Sequence, residues 1–301
     1  MNNSTFGNVV TALITPFTKE LSIDFKSLDK VIEHLIASDT ASIVVSGTTG
    51  ESPTLEDSEK IELLEYIFQK VNGRAKIIFG AGSNNTHKTI QLINKVNSIK
   101  IDGLLIVAPY YNKPNQRGII AHFSEIAHNT QLPIMVYNIP GRTGINIEND
   151  TIIKLHNKFS HIKYVKDSTG NLTQFHNLAT SKPDSLMLYS GDDDLTLPFI
   201  KLGAIGVVSV ASHLVGSEIN QMIEYARNFK YDKADLIHHK FLKLFKNLFI
   251  EPNPTCVKYA LSQIGLIEPY VRLPLVELSD ESKKLIDESL NIVKPLSKIS
   301  Q

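Results

Sequence analysis

The feature that most constrains the fold is a regular alternation of two kinds of segment along the chain. Short runs rich in β-branched residues, such as "ASIVVSG" and "GLLIVAP", are each followed by a longer segment with helical periodicity. This alternation is typical of βα units around a parallel sheet. The runs begin near Val9, Ala41, Lys76, Gly103, Ile134, Ile162, Ser185 and Ile205.

The segments between the runs predict amphipathic helices. In the first, Leu28, Val31 and Leu35 fall on one stripe, and Asp24 stands where a helix needs an N-terminal cap. Eight strands with eight helices predict a closed (β/α)8 barrel, the TIM barrel. An open, doubly wound sheet is the alternative, because periodicity alone does not prove closure.

The chain continues well beyond the eighth run, further than one closing helix requires. Helical stripes recur at residues 219–229, 234–248, 255–264 and 281–293. We therefore predict a catalytic barrel over residues 1–226 and a helical C-terminal region over residues 227–301.

The composition argues against several classes of binding partner. The 31 basic residues balance 31 acidic ones without a block of like charge, so the sequence predicts no binding to nucleic acid or to an anionic membrane. It has neither a signal-like N-terminus nor a long apolar run, so we expect neither secretion nor membrane spanning. The only cysteine, Cys256, excludes an intramolecular disulfide and favours the cytoplasm.

Unusual residues follow the predicted strands, where barrel enzymes place their chemistry. The segments are "SGTTGES", "PYYN", "YNIPGRTG", "KDSTG" and "SGDDD". Hydroxyls, glycines, one lysine and one arginine should therefore meet at one end of the barrel. The loop "GTTGE" offers backbone N–H groups that a carboxylate can approach closely.

Lys166 ends the sixth run, "IKYVKD". Strand alternation predicts Ile162, Tyr164 and Lys166 on one face, with Lys163 and Val165 on the other. An ammonium that is buried without a partner is costly, and imine formation requires the neutral amine. The sequence thus predicts a Schiff-base lysine, although a lysine at a strand end is more often a solvated surface charge.

Four further side chains fit such a reaction. Tyr137, Tyr111 and Thr48 could move protons, and Arg142 has the geometry to hold a substrate carboxylate. Their alternative roles are packing aromatics, a turn residue and a solvated charge.

Other chemistries find little support in the sequence. Neither a His-x-His pair at a strand end nor a His-Glu-x-x-His motif is present, and residues 192–194 are predicted to be the acidic first turn of a helix. The glycine-bearing loops match neither a phosphate loop nor a dinucleotide fingerprint. A metal-dependent barrel hydrolase and an inactive ligand-binding barrel remain the alternatives from other classes.

Taken together, "GTTGES", "PYYNKP", "YNIPGRTG", "KDSTGNL", "SGDDD", "GVVSV", "EPNP" and "RLP" resemble the dihydrodipicolinate synthase family of pyruvate-dependent class I aldolases in order and spacing. The resemblance implies that Lys166 forms the imine and that Tyr137 transfers protons. It implies that Thr48 and Tyr111 complete the relay, with Tyr111 entering from the neighbouring subunit of a tight dimer.

The resemblance also implies the binding residues and the reaction. Thr49 and Val208 match positions that contact pyruvate, Gly191 lies in a matching loop, and Arg142 matches the residue that receives the carboxylate of L-aspartate 4-semialdehyde. The family needs neither a metal nor an organic cofactor, and its usual assembly is a homotetramer, a dimer of dimers. Its reaction opens diaminopimelate and lysine synthesis.

Related aldolases are the main competitors, namely N-acetylneuraminate lyase and the 2-keto-3-deoxy sugar acid aldolases. The sialic acid lyases typically have "GSTGE" in place of "GTTGE" and lack an arginine at the position of Arg142, so both features favour the synthase. Lys88 and Lys60 replace residues typical of lysine-inhibited members. Because a cation repels the ammonium groups of lysine, we expect weak or absent feedback inhibition, which half-maximal inhibition at sub-millimolar lysine would contradict.

Overall fold

Eight parallel strands form a closed barrel, in which each strand pairs with its neighbours in sequence and the last pairs with the first. The computed structural model describes residues 6–293. The strands are β1 (Val9–Ala12), β2 (Ser42–Val45), β3 (Lys76–Gly80), β4 (Gly103–Val107), β5 (Ile134–Asn138), β6 (Ile162–Asp167), β7 (Met187–Ser190) and β8 (Gly206–Ser209). The predicted closed barrel is confirmed, and the open sheet is excluded.

Helices surround the barrel and extend beyond it. They are α1 (Phe25–Ala37), α2 (Asp57–Val71), α3 (Thr86–Val96), α4 (Gln116–His128), α5 (Pro140–Thr143), α6 (Asn149–Lys158), α7 (Leu172–Ser181), α8 (Thr196–Lys201), α9 (Ser212–Arg227), α10 (Tyr231–Asn247), α11 (Thr255–Gln263) and α12 (Asp280–Leu290). The predicted helical extension is confirmed: α12 packs against α10 and α11, and both α10 and α11 pack against α9. No helix within residues 6–293 is both long and apolar enough to cross a bilayer.

Two apolar layers follow from the alternation of side chains along each strand. Inside the barrel lie Val10, Val44, Met135, Tyr164 and Val208. Their sequence neighbours point outward and pack under the helices. Because both faces of each strand are buried, the strands are near-continuous apolar runs, as parallel sheets require.

The prediction that Ile162 shares a face of β6 with Tyr164 and Lys166 is wrong. Ile162 packs in the outer layer, whereas Tyr164 and its partner Met135 lie inside the barrel. The register between β5 and β6 shifts here. Ile134 pairs with Ile162, but the next residue of β5, Met135, pairs with Tyr164. A bulge of this kind inserts one residue, Lys163, and restores the alternation beyond it.

Asp24 caps α1 as the sequence predicts. Its carboxylate accepts a hydrogen bond from the backbone N–H of Ser27 at 3.0 Å, and the side chain of Asn115 does the same for Gly118 at the start of α4. Such caps satisfy N–H groups that lack partners within the helix. They fix where these two helices begin after their loops.

Candidate active site

Lys166 lies inside the barrel, near the carboxyl end of β6. It stands in register with Tyr137 on β5 and Tyr189 on β7, both of which belong to the inner apolar layer. Its side chain is 6% exposed, and Nζ lies 4.1 Å from the centre of the Tyr137 ring. The structure therefore brings together the lysine and the tyrosine that the sequence pairs.

The surroundings of Lys166 offer no ion pair. Among residues 6–293, no carboxylate oxygen lies within 4.0 Å of its Nζ. Gly191 makes close packing around the lysine possible, because a Cβ atom there would lie 3.0 Å from Lys166 Cε and 2.0 Å from Ser168 Oγ. A side chain at position 191 would thus clash with Ser168 and crowd the lysine, which gives the glycine of "SGDDD" a steric reason.

Asp193 joins the loop after β7 to the loop after β8. Its buried carboxylate accepts hydrogen bonds from Ser209 Oγ at 2.5 Å and from the backbone N–H groups of Val210 and Ala211 at 3.0 and 2.8 Å. The predicted acidic first turn is therefore wrong, since α8 begins only at Thr196. Asp193 instead binds the N–H groups that lead into α9, and it anchors the loop that contains Gly191 to the end of β8.

Asp192 interacts electrostatically with Lys166. Burial raises the pKa of Asp192 to about 6, while the positive charge of Lys166 opposes the rise and the charges of Asp194 and Asp193 add to it. The same carboxyl group is therefore neutral in mildly acidic solution and ionised at neutral pH. Burial likewise raises the pKa of Asp167.

Asp192→Asn is expected to stabilise the protein more at pH 7.5 than at pH 4.5. Because the folded pKa lies above the ordinary value, the folded state retains a proton that the unfolded chain has lost, and stability falls as pH rises from about 4 to about 6. The two effects should differ on the order of 2 kcal/mol in free energy of unfolding, measured with urea. The exposed Asp232→Asn is the control, and an equal gain at both pH values would contradict this expectation.

The turn "GTTG" after β2 presents unpaired backbone donors. The N–H of Gly50 bonds to the carbonyl of Gly47 at 3.1 Å, and that of Glu51 bonds to the carbonyl of Thr48 at 3.0 Å. The N–H groups of Thr48 and Thr49 have no acceptor within the part of the chain that the structure describes. Two adjacent free N–H groups form a concave site that suits an anion.

A buried ion pair, which the sequence analysis did not identify, holds the end of this turn. Glu51 has a left-handed backbone, with φ of 55°, and its fully buried carboxylate pairs with the fully buried ammonium of Lys258 on α11. The backbone N–H of Arg272 donates to the same carboxylate at 2.9 Å, and Lys258 Nζ also donates to the carbonyl of Tyr270 at 2.8 Å. The only signal for this contact in the sequence was that two of the motifs shared with the family, "EPNP" and "RLP", lie in the C-terminal region outside the barrel.

The guanidinium of Arg272 extends the same connection. It donates two bonds to the Glu59 carboxylate at 2.6 and 2.8 Å, and further bonds to the carbonyls of Leu21 and Thr54. The segment after α11 is therefore tied to the loop after β1 and to the start of α2. Bidentate pairs of this kind fix both partners in orientation.

The remaining predicted residues lie at the same end of the barrel but differ in exposure. Val208 is buried in β8, and Thr48 is half-buried. Arg142 is exposed on α5, directly after β5. Tyr111 does not join Lys166 and Tyr137 within this chain, because it is 89% exposed in the loop after β4.

The fold and the site together are those of a barrel lyase of the Schiff-base aldolase type. A lysine is buried at a strand end, a tyrosine lies beside it, and a turn at the same end of the barrel offers free donors to an anion.

Comparison with known proteins gives the family. The model of the dihydrodipicolinate synthetase family matches residues 5–293. A 4-hydroxy-tetrahydrodipicolinate synthase of Halalkalibacterium halodurans is 43% identical over 285 residues, covering 95% of this chain and 96% of the relative. The chain belongs to the dihydrodipicolinate synthetase family.

Solved structures agree with this assignment. Dihydrodipicolinate synthase of Bacillus anthracis superimposes with a TM-score of 0.93 at 41% identity, covering 96% of this chain and 99% of that one. The enzyme of Cyanidioschyzon merolae, solved with lysine bound, gives 0.92 at 42% identity, covering 95% and 98%.

Proposed function

We propose that this enzyme condenses pyruvate with L-aspartate 4-semialdehyde through a Schiff base on Lys166, giving 4-hydroxy-tetrahydrodipicolinate for diaminopimelate and lysine synthesis. One observation carries the proposal: Lys166 is buried beside Tyr137, and no carboxylate of residues 6–293 lies within ion-pair distance. The relatives described above have the name of this synthase rather than that of a sialic acid or sugar acid lyase. Reductive trapping of pyruvate on Lys166 is the test.

The first half of the reaction needs an anion site, a nucleophile and a proton carrier. The free N–H groups of Thr48 and Thr49 would hold the carboxylate of pyruvate. Lys166 Nζ attacks the keto carbon, and the carbinolamine loses water to form the imine. Tyr137, with hydroxyl partners from Thr48 and from Tyr111 of a neighbouring subunit, moves the protons that these steps require. Loss of a methyl proton then gives the enamine.

The second half consumes the aldehyde. The enamine carbon attacks the aldehyde carbon of L-aspartate 4-semialdehyde, and Tyr137 returns a proton to the resulting alkoxide. The amino group of that substrate then attacks the imine carbon, which closes the ring and frees Lys166. Gly191 and Val208 shape the space around the imine. No proton transfer in this series of reaction steps requires a metal or an organic cofactor.

The assembly that we propose is a homotetramer built as a dimer of dimers. Tyr111 supports it, because this tyrosine combines 89% exposure with a φ of 73°. A left-handed backbone is costly for an aromatic residue, and such strain concentrates at functional sites. The partner's active site would take up the exposed ring, so each site would be complete only in the dimer.

Two coarser expectations accompany this function. We infer that the enzyme works in the cytoplasm, because its lone cysteine suits a reducing compartment. We also retain the division into a barrel over residues 1–226 and a C-terminal helical region over residues 227–301.

Arg142→Ala is expected to impair the second substrate and not the first. The guanidinium follows β5 and is exposed, so it is free to receive the carboxylate of the aldehyde. We expect the KM for the aldehyde to rise by about 10- to 100-fold, the value of one charge-assisted hydrogen-bond pair. Pyruvate trapping on Lys166 should be unchanged, as it should be in the control Arg117→Ala. Loss of pyruvate trapping in Arg142→Ala would contradict this role.

A further inference from the structure

A side chain from outside the barrel contacts the turn that binds the anion. Asn253 lies just before α11 and is 7% exposed, and its Nδ2 donates to Thr49 Oγ1 at 2.9 Å. Thr49 is itself buried and belongs to the turn after β2. The C-terminal region therefore reaches the hydroxyl of a residue that we place in the pyruvate site.

The direction of this hydrogen bond determines what the hydroxyl can do. An amide nitrogen only donates, so the Thr49 oxygen accepts and the hydroxyl proton is left for another partner. Within residues 6–293 that proton has no acceptor, and neither have the backbone N–H groups of Thr48 and Thr49. Three donors thus remain free at one turn, and a carboxylate can accept all three.

We propose that Asn253 is a positioning residue, which sets the Thr49 hydroxyl as a donor to the carboxylate of the 2-oxo acid substrate. The inference rests on the proposed function, because it assigns the anion of the Thr48–Thr49 turn to pyruvate. Asn253 touches no reacting atom. By occupying an oxygen lone pair of Thr49, it turns the hydroxyl proton away from itself and toward the ligand.

Substitution by aspartate distinguishes this role from simple packing. An ionised aspartate has nearly the shape of asparagine but only accepts hydrogen bonds, so it would take the Thr49 proton. It would also place a negative charge near the site of the substrate carboxylate. Alanine removes the bond without either effect.

The experiment measures how borohydride trapping on Lys166 depends on pyruvate concentration, by mass spectrometry of the full-length enzyme. In Asn253→Ala the pyruvate concentration for half-maximal trapping should rise about tenfold, with full trapping at saturation. In Asn253→Asp it should rise further. In Thr49→Val, adding Asn253→Ala should have little further effect, because the hydroxyl that couples them is absent.

Asn247→Ala is the matched control. Its side-chain amide bonds to Leu285 and Ser289 and joins α10 to α12 within the same C-terminal region. The pyruvate dependence of trapping should remain that of the wild type.

Three outcomes would overturn the inference. If Asn253→Asp has the pyruvate dependence of the wild type, Thr49 donates to residue 253 instead of accepting from it. If the effects of Asn253→Ala and Thr49→Val are additive, the two residues act independently. If Asn253→Ala does not fold, Asn253→Asp, which preserves the shape of the side chain, decides alone. Absence of any Lys166 adduct in the wild type would refute the proposed function, and this inference with it.

Discussion

Lys166→Ala should abolish the borohydride-trapped pyruvate adduct and lower synthase activity by at least about 10⁴-fold. The substitution removes the only amine of residues 6–293 that lies inside the barrel beside Tyr137. Without it, neither the imine nor the enamine can form. Mass mapping of the reduced protein and a steady-state assay with both substrates measure the two effects.

Lys163→Ala is the matched control, because it removes a lysine from the same strand. Lys163 is the inserted residue of the bulge in β6, away from the position that Lys166 shares with Tyr137. Its loss should leave the adduct and the rate near those of the wild type. An adduct that persists in Lys166→Ala, or one that maps to another lysine, would refute the proposed mechanism.

Lys258→Met should cause the largest loss of stability among the substitutions considered. The substitution leaves the Glu51 carboxylate fully buried with its main charge partner gone. Breaking a buried pair in this way costs about 3–5 kcal/mol of the free energy of unfolding. Urea unfolding at fixed protein concentration measures the loss, and pyruvate binding should weaken too, because Glu51 ends the Thr48–Thr49 turn.

A double variant and an exposed pair serve as controls for this prediction. Glu51→Gln combined with Lys258→Met should recover part of the stability, because no uncompensated charge stays buried. Lys243→Met breaks an exposed pair with Glu288, in which the two charged groups are 2.9 Å apart, and it should change stability little. Equal losses in Lys258→Met and Lys243→Met would show that burial of the pair does not matter.

The sequence predicts the barrel well because the fold repeats a local pattern. Each strand and helix is specified by the periodicity of its own residues, and the caps at Asp24 and Asn115 depend on neighbours three positions away. The face of Ile162 could not be predicted in this way. It depends on a register shift between β5 and β6, which becomes visible only once the strands are paired.

The candidate site likewise has contacts that the sequence predicts and contacts that it does not. Lys166 and Tyr137 could be paired from the sequence because each ends a neighbouring strand, and strand ends meet at one edge. The partners of Glu51 and Thr49 could not, since Lys258 and Asn253 are more than 200 positions away and follow no local period. The prediction for residues 192–194, just before α8, was wrong for a related reason. Asp193 accepts hydrogen bonds at the entry to α9 and does not cap α8, the helix that follows it in sequence.

The distance in sequence between Glu51 and its donors has a consequence for how the enzyme is made. Lys258 follows Glu51 by 207 residues and Arg272 follows it by 221. On a ribosome, the turn after β2 emerges early, but the charge that neutralises its glutamate emerges only with α11. A product released after residue 226 would have all eight strands and no donor for this carboxylate. We therefore expect a nascent chain to bind pyruvate only after α11 and the segment that contains Arg272 have emerged.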